Sequence, residues 1–157
     1  EFLRVLDYVC QVAPFWHFFG RLGCLAAGCC YGRAPRHTLP WAVTFTDPRS
    51  MTPPELLGIP LHPAQLYEGL GDLAIALFLY RFILPGVEQG KRARGTVCAV
   101  YFASYAALRF ATEFFRGDTV ALGSFPITAG QGISLALFFS AAVLGAVIYR
   151  RKPCIPS

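Results

Sequence analysis

The sequence predicts an all-α, polytopic membrane bundle of about four spanning helices with a proline-rich extracytoplasmic loop, forming one membrane domain over residues 1–157. Three observations predict it. Hydrophobic residues fill 55% of the 157 positions and charged residues only 15%, against about 25% charged in a soluble domain. Fourteen Phe and seven Tyr supply the aromatic surface that interfacial belts and lipid contacts use. Apolar stretches recur at about residues 8–31, 63–84, 95–115 and 127–149, each near the ~20 residues that cross a bilayer core.

The first stretch is interrupted by Arg21, with Arg4 before it. A loop follows that holds Pro35, Pro40, Pro48, Pro53, Pro54 and Pro60, with residues 41–45 able to form a short strand. The second stretch opens on Pro63, a helix-starting residue, and is expected to stop before Pro85. Basic residues cluster between the runs, at Lys91, Arg92 and Arg94 and again at Arg150, Arg151 and Lys152. This is the positive-inside pattern, so both clusters are expected in the cytoplasm. The proline-rich loop and the turn over residues 117–126 then face the other side. The same clustering accounts for the net charge of +5 without nucleic acid as a partner. The first residue is Glu1 and the sole methionine is Met51, so the chain is expected to be the later, carboxyl-terminal part of a longer protein. Its six cysteines lie mostly in or beside apolar runs, which argues against a disulfide framework.

Charges at membrane depth face the bundle interior and mark function. In the third stretch Tyr105, Arg109, Glu113 and Arg116 fall within an arc of roughly 80° at helical spacing. Arg109 and Glu113, four apart, are expected to pair. One reading is an interhelical ion-pair clasp. The other is an anion pocket in which Glu113 orients Arg109 and its planar fork holds two phosphate oxygens. Arg116, near the outer end, is expected to snorkel to the interface. In the first stretch Gly20 and Gly23 flank Arg21, and would permit close approach of a helix or ligand. Arg21 needs an anion, either a lipid head group or one of Glu68, Asp72 and Glu113. The second stretch opens His62-Pro63-Ala64-Gln65-Leu66-Tyr67-Glu68, with His62 a candidate cap and Gln65, Glu68 and Asp72 along one side. Counting at 1.5 Å per residue puts Arg21 and Arg109 both about 18–20 Å from the cytoplasmic face. The polar groups therefore converge in the outer half of the membrane.

These sets, in this order, resemble the prolipoprotein diacylglyceryl transferase family. The matching pieces are Gly20-Arg21-Leu22-Gly23, Gly28 with Tyr31-Gly32-Arg33, the segment from His62 to Glu68, Arg109 with Glu113-Phe114-Phe115-Arg116, and Gly130-Gln131. The resemblance covers the chain as the later part of a seven-helix fold. It implies transfer of the diacylglyceryl group of phosphatidylglycerol to the lipobox cysteine thiol of a preprolipoprotein signal peptide in the bacterial inner membrane, without a metal or organic cofactor. It implies that Arg21 and Arg109 bind the phosphate, and that Tyr105 and Glu113 orient Arg109 and contact the head group. Tyr67 and Glu68 would line the pocket, supported by His62 and Gln65. Two departures stand beside it. Cys24 and Cys29 occupy positions where the family has Asn and Glu, and the family's His-Gly-Gly segment, which carries a candidate base, would lie upstream of Glu1. A paralogue that binds anionic phospholipid without this transfer is the alternative.

A cysteine-based redox or metal protein is the remaining reading, resting on Cys24, Cys29 and Cys30. On one helix Cys24 and Cys29 would stand about 140° apart and Cys29 and Cys30 about 100° apart, a poor approach to a tetrahedral ion. They are therefore expected to be small residues packed between helices.

Overall fold

A computed structural model describes residues 1–124 and 127–150. The basic pair Arg151 and Lys152, Cys154 and the Pro126 end of the second outer turn lie outside the described residues. The apolar runs become helices α1 (Phe2–Ala27), α2 (Ala64–Phe78), α3 (Leu84–Glu88), α4 (Thr96–Glu113) and α5 (Ala129–Tyr149). The strand expected near residues 41–45 is β1 (Val43–Thr44), which pairs antiparallel with β2 (Pro60–Leu61), Val43 opposite Leu61. The chain is thus mostly helical. Two of its rods, the continuous Ala64–Glu88 and α5, are long and apolar enough to cross a membrane. Large apolar side chains such as Trp16, Phe19, Phe82, Ile133 and Phe139 point outward, as lipid-facing residues do.

Three helix boundaries differ from the sequence expectation, each for a local reason. α1 begins six residues earlier and ends at Ala27, not Tyr31, because Gly28 takes the left-handed conformation (φ 74°) that closes a helix. The second rod does not stop before Pro85. Proline has no N–H for the Arg81 carbonyl and its ring crowds that oxygen; the chain widens into a π-helical turn over Leu79–Ile83 and runs on to Glu88. At the start of α2, Pro63 is the N-cap and His62 does not cap. α5 starts on a capping box, Thr128 accepting from the Gln131 N–H while Gln131 accepts from the Thr128 N–H.

The helices alternate in direction. At one end lie the start of α1, the 89–95 loop and the end of α5: Arg94 pairs with Glu1 at 3.2 Å, Tyr8 donates to Glu88, and Gly95 faces Ile148. A core of Cys10, Leu79, Ile83, Leu84, Val97, Cys98 and Tyr101 fills the space where α1, the α2–α3 rod and α4 meet. Asp7 fixes this end. Its carboxylate is 1% exposed and accepts from the backbone N–H of Gly95 at 2.6 Å and of Cys98 at 3.0 Å. A side chain of α1 thereby supplies the N-terminal cap that α4 lacks locally.

Candidate functional site

At the opposite end, the three polar sets meet on one carboxylate. Glu68, 1% exposed, projects from the second turn of α2. Its Oε1 accepts from Arg21 Nη2 of α1 at 2.8 Å and lies 3.5 Å from Arg109 Nε of α4. Its Oε2 accepts from Arg116 Nη1 at 3.2 Å. Glu113 forms the second anchor: Oε2 lies 2.6 Å from Arg109 Nη1, and Oε1 accepts from Thr128 Oγ1, the α5 cap, at 2.7 Å. Arg21, Arg109 and Glu113 thus come together at one end of the bundle, and the expected pairing of Arg21 with Glu68 is present. Arg116 departs from expectation. It sits beyond the end of α4 and turns inward, buried between Glu68 and Asp118, whose Oδ2 it meets at 2.6 Å, instead of snorkelling outward.

The supporting residues divide. Gln65 is buried and donates to the Cys29 carbonyl at 2.7 Å, fastening the loop after α1. Tyr67 points away from the arginines: its hydroxyl accepts from Trp41 Nε1 at 2.9 Å and lies 3.2 Å from His62 Nδ1. His62 and Tyr67 both pack on Phe115. Tyr105 makes no hydrogen bond to Arg109 among the described residues; its ring packs on His17 at 5.1 Å and on Tyr101. Gly20 and Gly23 are not close-packing positions here, since a β-carbon at either would meet nothing within 4 Å. The close approaches occur at Gly69, over the Arg21 stem and Phe18, and at Gly130, against the Glu113 carboxylate. A glycine one residue after a buried acid was the available signal for Gly69. A further polar group, missed as a unit in the sequence, lies one turn inward: His17 Nδ1 is 3.3 Å from the Tyr101 hydroxyl and 3.9 Å from the buried Asp72.

The cysteines overturn the helical argument made for them. Cys24 is on α1, but Cys29 and Cys30 follow its end, and Cys30 itself has φ 55°. Two left-handed positions, Gly28 and Cys30, bend the chain back on either side of Cys29, and the three sulfurs lie within 4.8 Å of one another. Residues 31–33 then run extended between two neighbours. Gly117 N–H donates to Tyr31 O and Arg33 N–H to Phe115 O, while His62 N–H donates to Arg33 O. Gly32 is required there because the His62 carbonyl occupies the place of its β-carbon. This clamp sets Cys30 against Arg116. Burial alone would raise the Cys30 thiol pKa, but hydrogen bonding and charge from Arg116 hold it below the usual value. Burial, with Cys24 and Cys30 beside it, pushes the Cys29 thiol up to about 11.

Chemically, the arginine cluster has hydrogen-bonding capacity to spare. A guanidinium carries five N–H donors. Among the described residues Arg21 uses one in a hydrogen bond. Arg109 pairs with Glu113 through Nη1 at 2.6 Å and approaches Glu68 through Nε at 3.5 Å, while its Nη2 makes no hydrogen bond among the described residues. Both arginine side chains remain about one-fifth exposed.

Residues 1–147 match the family described as prolipoprotein diacylglyceryl transferase. The phosphatidylglycerol–prolipoprotein diacylglyceryl transferase of Solidesulfovibrio magneticus is 39% identical over 137 residues, covering 85% of this chain and 47% of the relative. The enzymes of the same name from Sodalis glossinidius and Idiomarina loihiensis are 34% and 33% identical, over 98% and 100% of this chain and 56% and 53% of theirs. The chain spans about half the length of these curated relatives. A match over residues 1–147, the span that folds into the arginine–carboxylate cluster, makes this chain a member of the prolipoprotein diacylglyceryl transferase family.

Proposed function

We propose that this chain forms the phosphate-binding part of an enzyme that moves the diacylglyceryl group of phosphatidylglycerol onto the lipobox cysteine of a bacterial preprolipoprotein. In this reaction the cysteine sulfur forms a bond to the terminal glyceryl carbon of the diacylglyceryl group. The carbon–oxygen bond to phosphate breaks, the thiol proton passes to a base, and glycerol phosphate departs. The phosphate gains negative charge as the bond breaks, so donors aimed at it stabilise the transition state more than the bound lipid. The observation that carries the reading is the donor excess of Arg21 and Arg109. Two guanidinium groups from different helices, each about one-fifth exposed, are held by a shared carboxylate, with N–H groups left over. Glu68 and Glu113 position them and Arg116 braces Glu68 from behind.

The same reading takes α1, the α2–α3 rod, α4 and α5 as four membrane spans in the bacterial inner membrane. The 89–95 loop then faces the cytoplasm and the arginine cluster sits in the outer half. Support comes from the bundle itself, which keeps Lys91, Arg92 and Arg94 at the end away from the cluster.

The test is transfer to a lipobox peptide from phosphatidylglycerol vesicles by the full protein carrying Arg21→Ala or Arg109→Ala. Each variant is expected to lose about 10²–10³-fold in rate, the scale for removing one transition-state donor. Wild-type rates in either variant would remove the basis of the proposal.

A further inference from the structure

Three thiols gathered by a bent chain form a second chemical site, beside the arginine cluster and unused by it. We propose that Cys24, Cys29 and Cys30 bind one zinc(II)-class metal ion through three thiolates, leaving its fourth tetrahedral corner to an external ligand. The geometry is close to what such an ion needs. Zinc–sulfur bonds of about 2.3 Å place tetrahedral sulfurs about 3.8 Å apart, and these three lie within 4.8 Å of each other before any ion draws them in. Soft thiolates select zinc-like or cuprous ions over magnesium or calcium.

The convergence is built by the backbone. Gly28 and Cys30 both adopt left-handed φ values, an uncommon choice for cysteine. The neighbouring carbonyls are tied down: Gln65 donates to Cys29 O at 2.7 Å and Thr52 donates to Gly28 O at 2.8 Å. A β-carbon at Gly28 would collide with Ser50 and Thr52, so the bend is fixed by its surroundings as well. Three thiolates around a divalent ion leave one negative charge, and the Arg116 guanidinium, which also meets Glu68 and Asp118, stands beside Cys30 to offset part of it. None of the three is in a disulfide and all are partly accessible, so an ion can enter.

The proposal concerns metal binding alone and stands apart from the transferase reading. The full protein, purified in detergent under reducing conditions and equilibrated with zinc(II), should retain one equivalent by elemental analysis. Cobalt(II) in its place should give thiolate-to-metal charge-transfer absorption. The triple variant C24S/C29S/C30S should lose both signals, whereas C10A/C98A, altered in the core, should keep them. Should the triple variant not fold, the wild type still decides: bound zinc should shield three cysteines from alkylation, mapped by mass spectrometry. Background zinc in folded wild type, metal retained without the three sulfurs, or alkylation unaffected by zinc would each overturn it.

Discussion

Asp7 and Glu68 are both acidic side chains buried to 1% exposure inside an apolar bundle, and their surroundings differ in kind. Asp7 meets two backbone N–H groups at the start of α4, at 2.6 and 3.0 Å. Its hydrogen-bond partners among the described residues are neutral backbone groups fixed at the helix start. Glu68 meets three guanidinium groups from two helices and a loop, each with more donors than it uses. The first arrangement completes a helix end. The second holds charged groups in place with donors unused. Burial of a charge therefore does not separate structure from function. What separates them is whether the partners are satisfied.

This contrast is broken or sharpened by changing the two acids in turn. Glu68→Gln keeps the shape but removes the charge that three arginines share. Breaking a buried ionic network costs about 3–5 kcal/mol. The full protein in detergent should unfold at clearly lower denaturant, and transfer by the folded fraction should be lost. Asp7→Ala leaves two backbone N–H groups unpaired, a smaller loss of about 1–3 kcal/mol. Transfer per folded molecule should be unchanged, because the site lies at the other end of the bundle. Equal loss of specific activity in both variants would erase the distinction between the two ends.

The two ends were also unequally legible in the sequence. The arginine site was readable because charges in apolar runs are costly and helical spacing says which of them share a face; Arg109 and Glu113 needed no more than that. The cap made by Asp7 left no local mark, since it acts on a helix 88 residues away. Helix ends were read too late or too early for the opposite reason: the signal was local and outweighed by hydrophobicity. Gly28 is an ordinary helix terminator, yet the apolar residues around it suggested that α1 ran on to Tyr31. That single error also misplaced the cysteines, because the angles between Cys24, Cys29 and Cys30 were computed for a helix that had already ended. Pro85 failed the other way, as a π-helical turn absorbed the break that its ring normally makes.

The smallest effect concerns His62, at the rim between the two strands and α2. Its ring packs on Phe115 and Tyr67, and its Nδ1 lies 3.2 Å from the Tyr67 hydroxyl. Burial, with the positive charge of Arg33 nearby, lowers its pKa below the ordinary value. The folded protein therefore takes up this proton less readily than the unfolded chain, whose histidine titrates near about 6.5. The unfolded state is protonated first as the pH falls, so stability is intact above about pH 6.5 and declines as the solution is acidified through that value and on to the lower folded pKa. Thermal unfolding of the full protein between about pH 7.5 and pH 5 should show a decline that becomes shallower in His62→Gln. An identical slope in that variant would show that His62 does not control the rim. The Asp7 end, with no histidine among its described contacts, should keep its amide protection across the same range, so hydrogen exchange read end by end separates a local opening at the rim from a weakening of the whole bundle.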